Sequence, residues 1–402
     1  MLTRHRDLRS GVPYWQSRPA PRVPSTTLMR NLSTDVLVVG AGISGALAAE
    51  ALSPDHKVIV LDRRGIAKGS TAASTALVEY EIDTPLTLLA GKIGADKAAR
   101  AWRRSHLALT ALAERTATLG IHADVVPHDT LYLAGNLLDP AGLKHEAAAR
   151  LRIGLETEYL TAATLGRRFG IGRRAALRSH GDFAADPRRL TAGYLNAAIA
   201  NGARVYAPVE IVDVDRHRAG VTAVTGNGRT ITARHVVFAT GYEVPGIVPA
   251  AGHRIASTFA IATRPQPRHL WPGQPMIWEA ADPYLYARTT ADGRVICGGE
   301  DEDFADPKKR DAMIPQKTAA IAHKLGRLFP ALDTEPEFAW AGSFGTTETG
   351  LPLIGRVPRH PHVWAILGFG GNGIAYSRIA ADIVAGAIAG HPDPDADLYA
   401  FD

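Results

Sequence analysis

The 402-residue chain reads as an α/β protein of the α+β two-domain kind: a Rossmann-like nucleotide-binding domain interleaved with a domain containing an antiparallel sheet. Three observations predict this. A buried-type strand near the N-terminus runs into a Gly-x-Gly-x-x-Gly turn and an Ala-rich helix. A strand-rich block occupies residues 254–304. Gly-rich chemistry then returns at residues 368–374, so the nucleotide-binding part is discontinuous.

Composition sets the limits. With 46% hydrophobic and 21% charged residues, the chain fits a globular protein rather than a disordered, collagenous or coiled-coil one. The single cysteine, Cys297, rules out an internal disulfide and a cysteine zinc site, and favours a reducing, cytoplasmic setting. The net charge of +5 is local. Residues 1–30 hold Arg4, Arg6, Arg9, Arg18, Arg22 and Arg30 against Asp7, and without this arm the charge falls to zero. A nucleic-acid face is therefore not expected. The arm has the Arg-rich look of a transit peptide but no apolar h-region. The reading adopted is an extension that packs Tyr14 and Trp15 onto the globule. No run of about 18 apolar residues predicts a membrane span. The fifteen histidines show no HExxH or HxH spacing, so no metal is expected.

The elements follow in order. Val36–Val39 is a continuous apolar run, suited to a central parallel strand. Gly40 makes the tight turn, Gly42 lets a pyrophosphate approach the backbone, and Gly45 lets the helix Ala46–Leu52 pack closely. Ile43 and Ser44 open that helix, whose free N–H groups suit a phosphate. The strand Lys57–Leu61 ends in Asp62, at the spacing expected for a ribose-binding acid. Arg63 and Arg64 suit a 2′-phosphate and hence NADP, but Asp62 would repel one. The cluster Ser70, Thr71, Ser74 and Thr75 argues instead for FAD, since it can donate to the pyrophosphate from the other side.

Residues 85–174 are mostly helical, with a long helix Ala95–Leu119, short strands Asp124–Val126 and Leu131–Leu133, and a helix Gly142–Leu155. Pro187–Ala200 is a helix with Pro at its first position. Strands Arg204–Tyr206 and Val209–Val214 follow, and Gly226-Asn227-Gly228 marks a hairpin. The strand from His235 ends in Ala239-Thr240-Gly241, bringing backbone close to something at the sheet's carboxyl edge. Strands Ile255–Thr263, Pro275–Glu279, Tyr284–Thr289 and Arg294–Cys297 precede a helix, Pro307–Leu328. Phe338–Phe344 and Val363–Leu367 are strands. Gly368, Gly370, Gly371, Asn372, Gly373 and Ile374 then lead into an apolar helix reaching about Gly390. The expected boundaries are an arm at 1–30, an FAD-binding domain at 31–84, 175–250 and 335–402, and a substrate-binding domain at 85–174 and 251–334.

The segments VVGAGISG, GSTAASTALVEYEIDTP, VVFATGY, GLPLIG and GFGGNGIAYS together resemble the D-amino-acid oxidase/glycine oxidase (DAO) family of FAD-dependent amine oxidoreductases, over Asp35 to Asp402. The likeness is closest to a broad bacterial branch of FAD-dependent oxidoreductases and more distant to gamma-glutamylputrescine-type oxidases. It implies an FAD domain in three segments and a substrate sheet facing the isoalloxazine. Gly40, Gly42, Gly45, Asp62, Ser70 and Thr71 would hold the ADP half, with Val209 near adenine. Gly368, Gly370, Asn372, Gly373 and Ile374 would lie at the flavin pyrimidine edge, where a helix N-terminus favours the charge of the reduced ring. Asn372 is read as the helix cap, so Gly371→Val is expected to weaken FAD binding far more than Asn372→Ala.

The expected reaction takes hydride from the carbon beside an amine nitrogen, giving an imine that hydrolyses. O2 is a candidate acceptor. Cys297 lies away from the GSFGTTETG segment and no His falls in Gly69–Tyr80, so non-covalent FAD is expected. The strand Arg294–Gly298 lacks the lysine that sarcosine-oxidase relatives place near N5, which leaves oxidase and dehydrogenase both open. Tyr284, Tyr286 and Arg288 share one strand face. Tyr286 can orient an amine and Arg288 can pair a carboxylate, though a solvated outer face reads equally well. Glu300 to Asp303 can attract cationic amines or form a surface acidic turn. A flavoenzyme acting on C–OH or imine groups, and a partner-binding flavoprotein with structural FAD, are the alternatives.

Overall fold

The computed structural model describes residues 2–3, 5–172, 174–250 and 252–401; Arg4 of the arm and the terminal Asp402 lie outside them. Val36, Leu37 and Val38 are fully buried, as a strand covered on both faces requires. They sit in Leu32–Val39, near the middle of a sheet ordered Leu353–Arg356, Val363–Leu367, Thr230–Phe238, Leu32–Val39, Val58–Leu61, Arg204–Tyr206. The last five strands run parallel. The chain steps from Leu32–Val39 out to Arg204–Tyr206, then resumes on the opposite side with Thr230–Phe238. This reversal opens a crevice at the carboxyl ends of the two central strands, beside Gly40 and Ala239.

Only glycine fits at Gly40, whose φ is 120° and where a side chain would collide with the Ala239 carbonyl. A side chain on Gly45 would strike the Gly40 carbonyl, so the helix Ile43–Leu52 lies hard against the turn. That helix packs on Pro187–Ala200 and Gly373–Ile388, and Ser44 Oγ meets Ser377 Oγ at 2.8 Å.

The second sheet runs Arg9–Gly11, Pro336–Thr346, Arg254–Thr263, Val295–Glu302, Leu285–Thr289, Met276–Glu279, Val126–Leu133, Ala176–Ala184, Leu77–Val78. Its strands correct several sequence expectations. Val126–Leu133 is one strand, because an irregularity between His128 and Thr130 interrupts an alternation that reads as two pieces. Asp124 stands outside it at φ 50°. Ala176–Ala184 is a long strand that the sequence hides behind polar residues: Arg178 pairs with Asp129, while Asp182 accepts from Thr130 and the Tyr80 N–H. The boundary at 175 assigns this strand to the nucleotide part, and the boundary at 335 does the same for Pro336–Thr346. Both pair within the second sheet. The arm joins it as well, through Arg9–Gly11 on Pro336–Thr346, with Tyr14 and Trp15 each 2% exposed. No helix among the described residues is long and apolar enough to cross a membrane.

Candidate active site

One cleft runs from the glycine turn of the parallel sheet to the aromatic residues of the second sheet. At its first end lie Gly40, Gly42, Ile43, Ser44, Asp62 and Val209. The Asp62 carboxylate accepts from the Ala41 N–H at 2.8 Å and from the N–H groups of Arg64 and Gly65, which stiffens the turn around it. Gly42 precedes the helix Ile43–Leu52 with no side-chain cap, and Thr71 Oγ1 accepts from the Ile43 N–H at 3.1 Å. With Thr71 meeting only one of its N–H groups, this helix start suits an anionic group such as a phosphate. Ser70, Ser74 and Thr75 line the same stretch, facing Thr240 and Gly241, the latter at φ 62°.

Arg63 also lines the cleft, but both it and Arg64 are engaged by Glu243, a carboxylate only 4% exposed. Arg64 closes a two-pronged pair at 2.6 and 2.7 Å. A ribose 2′-phosphate would have to displace that carboxylate from both guanidiniums. The end near Asp62 therefore suits an adenosine without the extra phosphate.

At the far end, Gly370, Gly371, Asn372, Gly373 and Ile374 form part of the wall. Three positions differ from the sequence reading. Gly45 packs behind the turn, and Gly368, at φ 78°, lies against Thr347 outside the wall. Asn372 stands at the N-cap position of its helix, but its side chain makes no cap hydrogen bond. Its amide reaches back instead: Nδ2 donates to the carbonyls of Glu81 (2.7 Å) and Glu79 (3.3 Å), and Oδ1 accepts from the Asp83 N–H (3.3 Å). Gly371, which is not at positive φ, donates to the Asp83 carboxylate at 2.7 Å. A side chain on Gly371 would first meet Asp83.

The second sheet contributes Trp278, Tyr284 and Tyr286. Trp278 stacks on Tyr132 at 3.8 Å between ring centres, and Tyr132 lies against the fully buried Arg150, itself paired with Glu146. Burial pushes the Tyr284 and Tyr286 phenols up, so both stay protonated donors. Arg288 does not reach the cleft. It is 3% exposed, covers the Trp15 ring, and donates to the carbonyls of Thr75 (2.7 Å) and Ala185 (2.9 Å). Burial draws its guanidinium down to about 10, so it stays charged at neutral pH. It pins the Ser74–Thr75 loop from behind, and Trp15 does the same by donating to the Ser74 carbonyl at 2.6 Å.

Glu300 to Glu302 are not in a surface turn, although Asp303 stands in an exposed bend beyond the strand. The strand Val295–Glu302 includes them, with Gly299 at φ 131° and Glu300 at φ 58° forming a bulge against Ser257 and Phe259. Glu300 and Glu302 face Lys317 and Lys324 of the helix Pro307–Leu328. Asp301 sits beside Tyr284 and Thr258, and burial raises its carboxyl to about 6. Cys297 is buried in the second sheet's core, away from the cleft wall. The sequence reading also passes over Glu79 and Asp83, both on the wall. Their signal is present: Glu79, Glu81 and Asp83 alternate in an otherwise apolar stretch.

A glycine turn at a helix start, an acid at the end of the next strand, and a second sheet closing over the other end are the arrangement of a dinucleotide-cofactor oxidoreductase of two interleaved sheets. The chain belongs to the DAO family, FAD dependent oxidoreductase, whose sequence profile matches residues 35–387. It is 24% identical to the gamma-glutamylputrescine oxidoreductase of Escherichia coli K12, over 94% of this chain and 88% of that one. Glycine oxidase from Geobacillus kaustophilus has the same fold, with a TM-score of 0.74, 20% identity and coverage of 90% and 96%. L-proline dehydrogenase from P. horikoshii superposes with a TM-score of 0.76, 20% identity and coverage of 92% and 97%. The protein is thus an FAD-dependent oxidoreductase.

Proposed function

We propose that the protein oxidises a carbon–nitrogen bond of a small amine or amino acid. Bound FAD supplies the acceptor for a hydride leaving the carbon beside the nitrogen, whose lone pair forms the C=N bond, and water then hydrolyses the released imine to a carbonyl compound and an amine. The observation that carries this reading is the continuity of one cleft between the Gly40–Gly45 turn and the Tyr284–Tyr286 strand. Gly42, Asp62 and Thr71 would hold the ADP half, and Gly370 to Gly373 the opposite end, with no covalent link. Tyr284 and Tyr286 orient the amine as neutral donors while the aromatic wall limits water. The names of the relatives point the same way, to glycine, L-proline and gamma-glutamylputrescine. An oxidase and a dehydrogenase both occur among the fold relatives, so O2 is one candidate acceptor.

The test is anaerobic mixing of the flavin-loaded protein with amines, amino acids and matched 2-hydroxy acids. Bleaching of the flavin by nitrogen compounds alone supports the proposal; bleaching by hydroxy acids alone overturns it.

A further inference from the structure

Several buried carboxylates elsewhere in the molecule pair with arginines. Glu50 pairs with Arg115, Glu146 with Arg150, Asp186 with Arg18 and Arg189, and Glu243 with Arg63 and Arg64. Glu79 departs from this pattern. It stands on the cleft wall with Oε1 shut off from solvent and without a hydrogen-bond partner, and no ion pair reaches it among the described residues. Asp83, also on the wall, accepts from the Gly371 N–H and from no cation among the described residues. Behind Tyr284, Asp301 leaves Oδ1 buried and unpartnered. Asp83 is open to the cleft and Glu79 partly so, but a carboxylate oxygen shut off from water, as in Glu79, is costly unless a cation arrives or a proton is taken up.

The opposite charge is missing from this end. Among the described residues lining the cleft, the cations are Arg63 and Arg64, both held by Glu243 at the far end. Arg288, the expected carboxylate partner, is walled off behind Thr75. Among the described residues, no cation lining the substrate end is free to receive a carboxylate. The aromatic faces there suit an ammonium group: Tyr284 and Tyr286 lie 5.7 Å apart between ring centres, and Trp278 adjoins them through its pairing with Tyr286.

Resting on the amine-oxidation reading, we propose that the substrate is a diamine without a carboxylate, its distal ammonium held by Glu79 and Asp83 beside Tyr284 and Tyr286. The reacting nitrogen gives up its proton before hydride leaves, so the second nitrogen is the one that keeps its charge and faces the carboxylates. Burial, then repulsion from Glu81 and Asp83, holds the Glu79 carboxyl well above the usual range, a strain that a bound ammonium relieves.

The experiment uses the flavin-loaded protein and three probes. Putrescine carries both ammonium groups, butylamine lacks the distal one, and ornithine adds a carboxylate to putrescine. Putrescine, or its homologue one methylene longer or shorter, should reduce the flavin anaerobically with an efficiency at least about tenfold above butylamine and ornithine. In Glu79→Gln and Asp83→Asn that ratio should fall toward one. Ornithine or other amino acids reducing the flavin as well as the diamines would overturn the inference and leave amine oxidation standing. If no probe bleaches the flavin, binding is read from its absorbance shift. Diamines binding about tenfold tighter than the other probes would then keep the inference while the reaction reading fails. The absence of both bleaching and an absorbance shift overturns the inference.

Discussion

The amide of Asn372 ties the loop before the last helix to the segment that carries Glu79 and Asp83. Replacing it by alanine removes three hydrogen bonds and leaves buried carbonyls at Glu79 and Glu81 without their donor. One buried polar group left unmatched costs about 1–3 kcal/mol. Asn372→Ala should therefore lower stability by that amount and weaken FAD binding with it, as thermal melts and flavin titration would show. For stability, as distinct from FAD binding, Gly371→Val should be the milder change, since its side chain meets a carboxylate end 2.7 Å away that can swing aside. Asp301 gives a second residue-scale prediction. Its folded value, about 6 against 3.8, is raised, so the folded state holds the extra proton between those pH values. Stability is then present below about 3.8 and lost as pH rises through about 6, in total about 2–3 kcal/mol. Asp301→Asn should melt higher than the parent at pH 7 and flatten the profile from pH 4 to 6; an unchanged profile would place Asp301 in water.

At the scale of an element, the strand Val295–Glu302 shows how a small residue shapes a pocket. A methyl group on Gly298 would collide with the Tyr286 hydroxyl, whose strand lies directly beside it. Gly298→Ala should fold and keep its flavin but displace the Tyr286 ring, slowing flavin reduction by substrate at least about tenfold. At Gly299, with φ 131° and the Tyr284 carbonyl in the way, alanine should instead cost the fold itself, and soluble yield separates the two outcomes. Contrasts of this kind mark how far the sequence is legible. The helix Pro187–Ala200 is readable to the residue, because Pro at its first position and the Asp186 cap are local signals. The glycine turn is readable for the same reason, since strand, turn and helix are contiguous. Ala176–Ala184 is not, since its polar residues are matched by Asp129 and Thr130 from another strand. Nor is the exclusion of Arg288: alternation correctly puts it on the Tyr286 face but says nothing of Trp15 and Thr75 standing between it and the cleft.

For the whole molecule, the element with most consequence lies outside the family match, which begins at residue 35. The arm crosses the first end of the cleft. Leu2, Thr3 and Leu8 line it, Thr3 bridges to Pro245, and the Arg6 N–H donates to Glu243 at 2.7 Å. Beyond it, Arg9–Gly11 extends the second sheet, and the buried Arg310 holds the Asp7 carbonyl at 2.8 Å. Tyr14 and Trp15 anchor the far side, so the arm is fastened to both sheets and laid over the crevice between them. Two deletions separate anchoring from covering. Removing residues 2–6 takes away the cover at the ADP end while leaving the added strand and the aromatic anchor. Its melting temperature without flavin should stay close to the parent's, while FAD dissociates at least about tenfold faster. Trp15→Ala attacks the anchor, with a cost of about 3–5 kcal/mol for a buried aromatic and loss of the hydrogen bond to Ser74. The two effects are read by dilution of the yellow protein with fluorescence detection of released flavin, alongside melts of the flavin-free forms. Equal FAD release rates for the deletion and the parent would mean that the arm serves the sheets and not the cofactor.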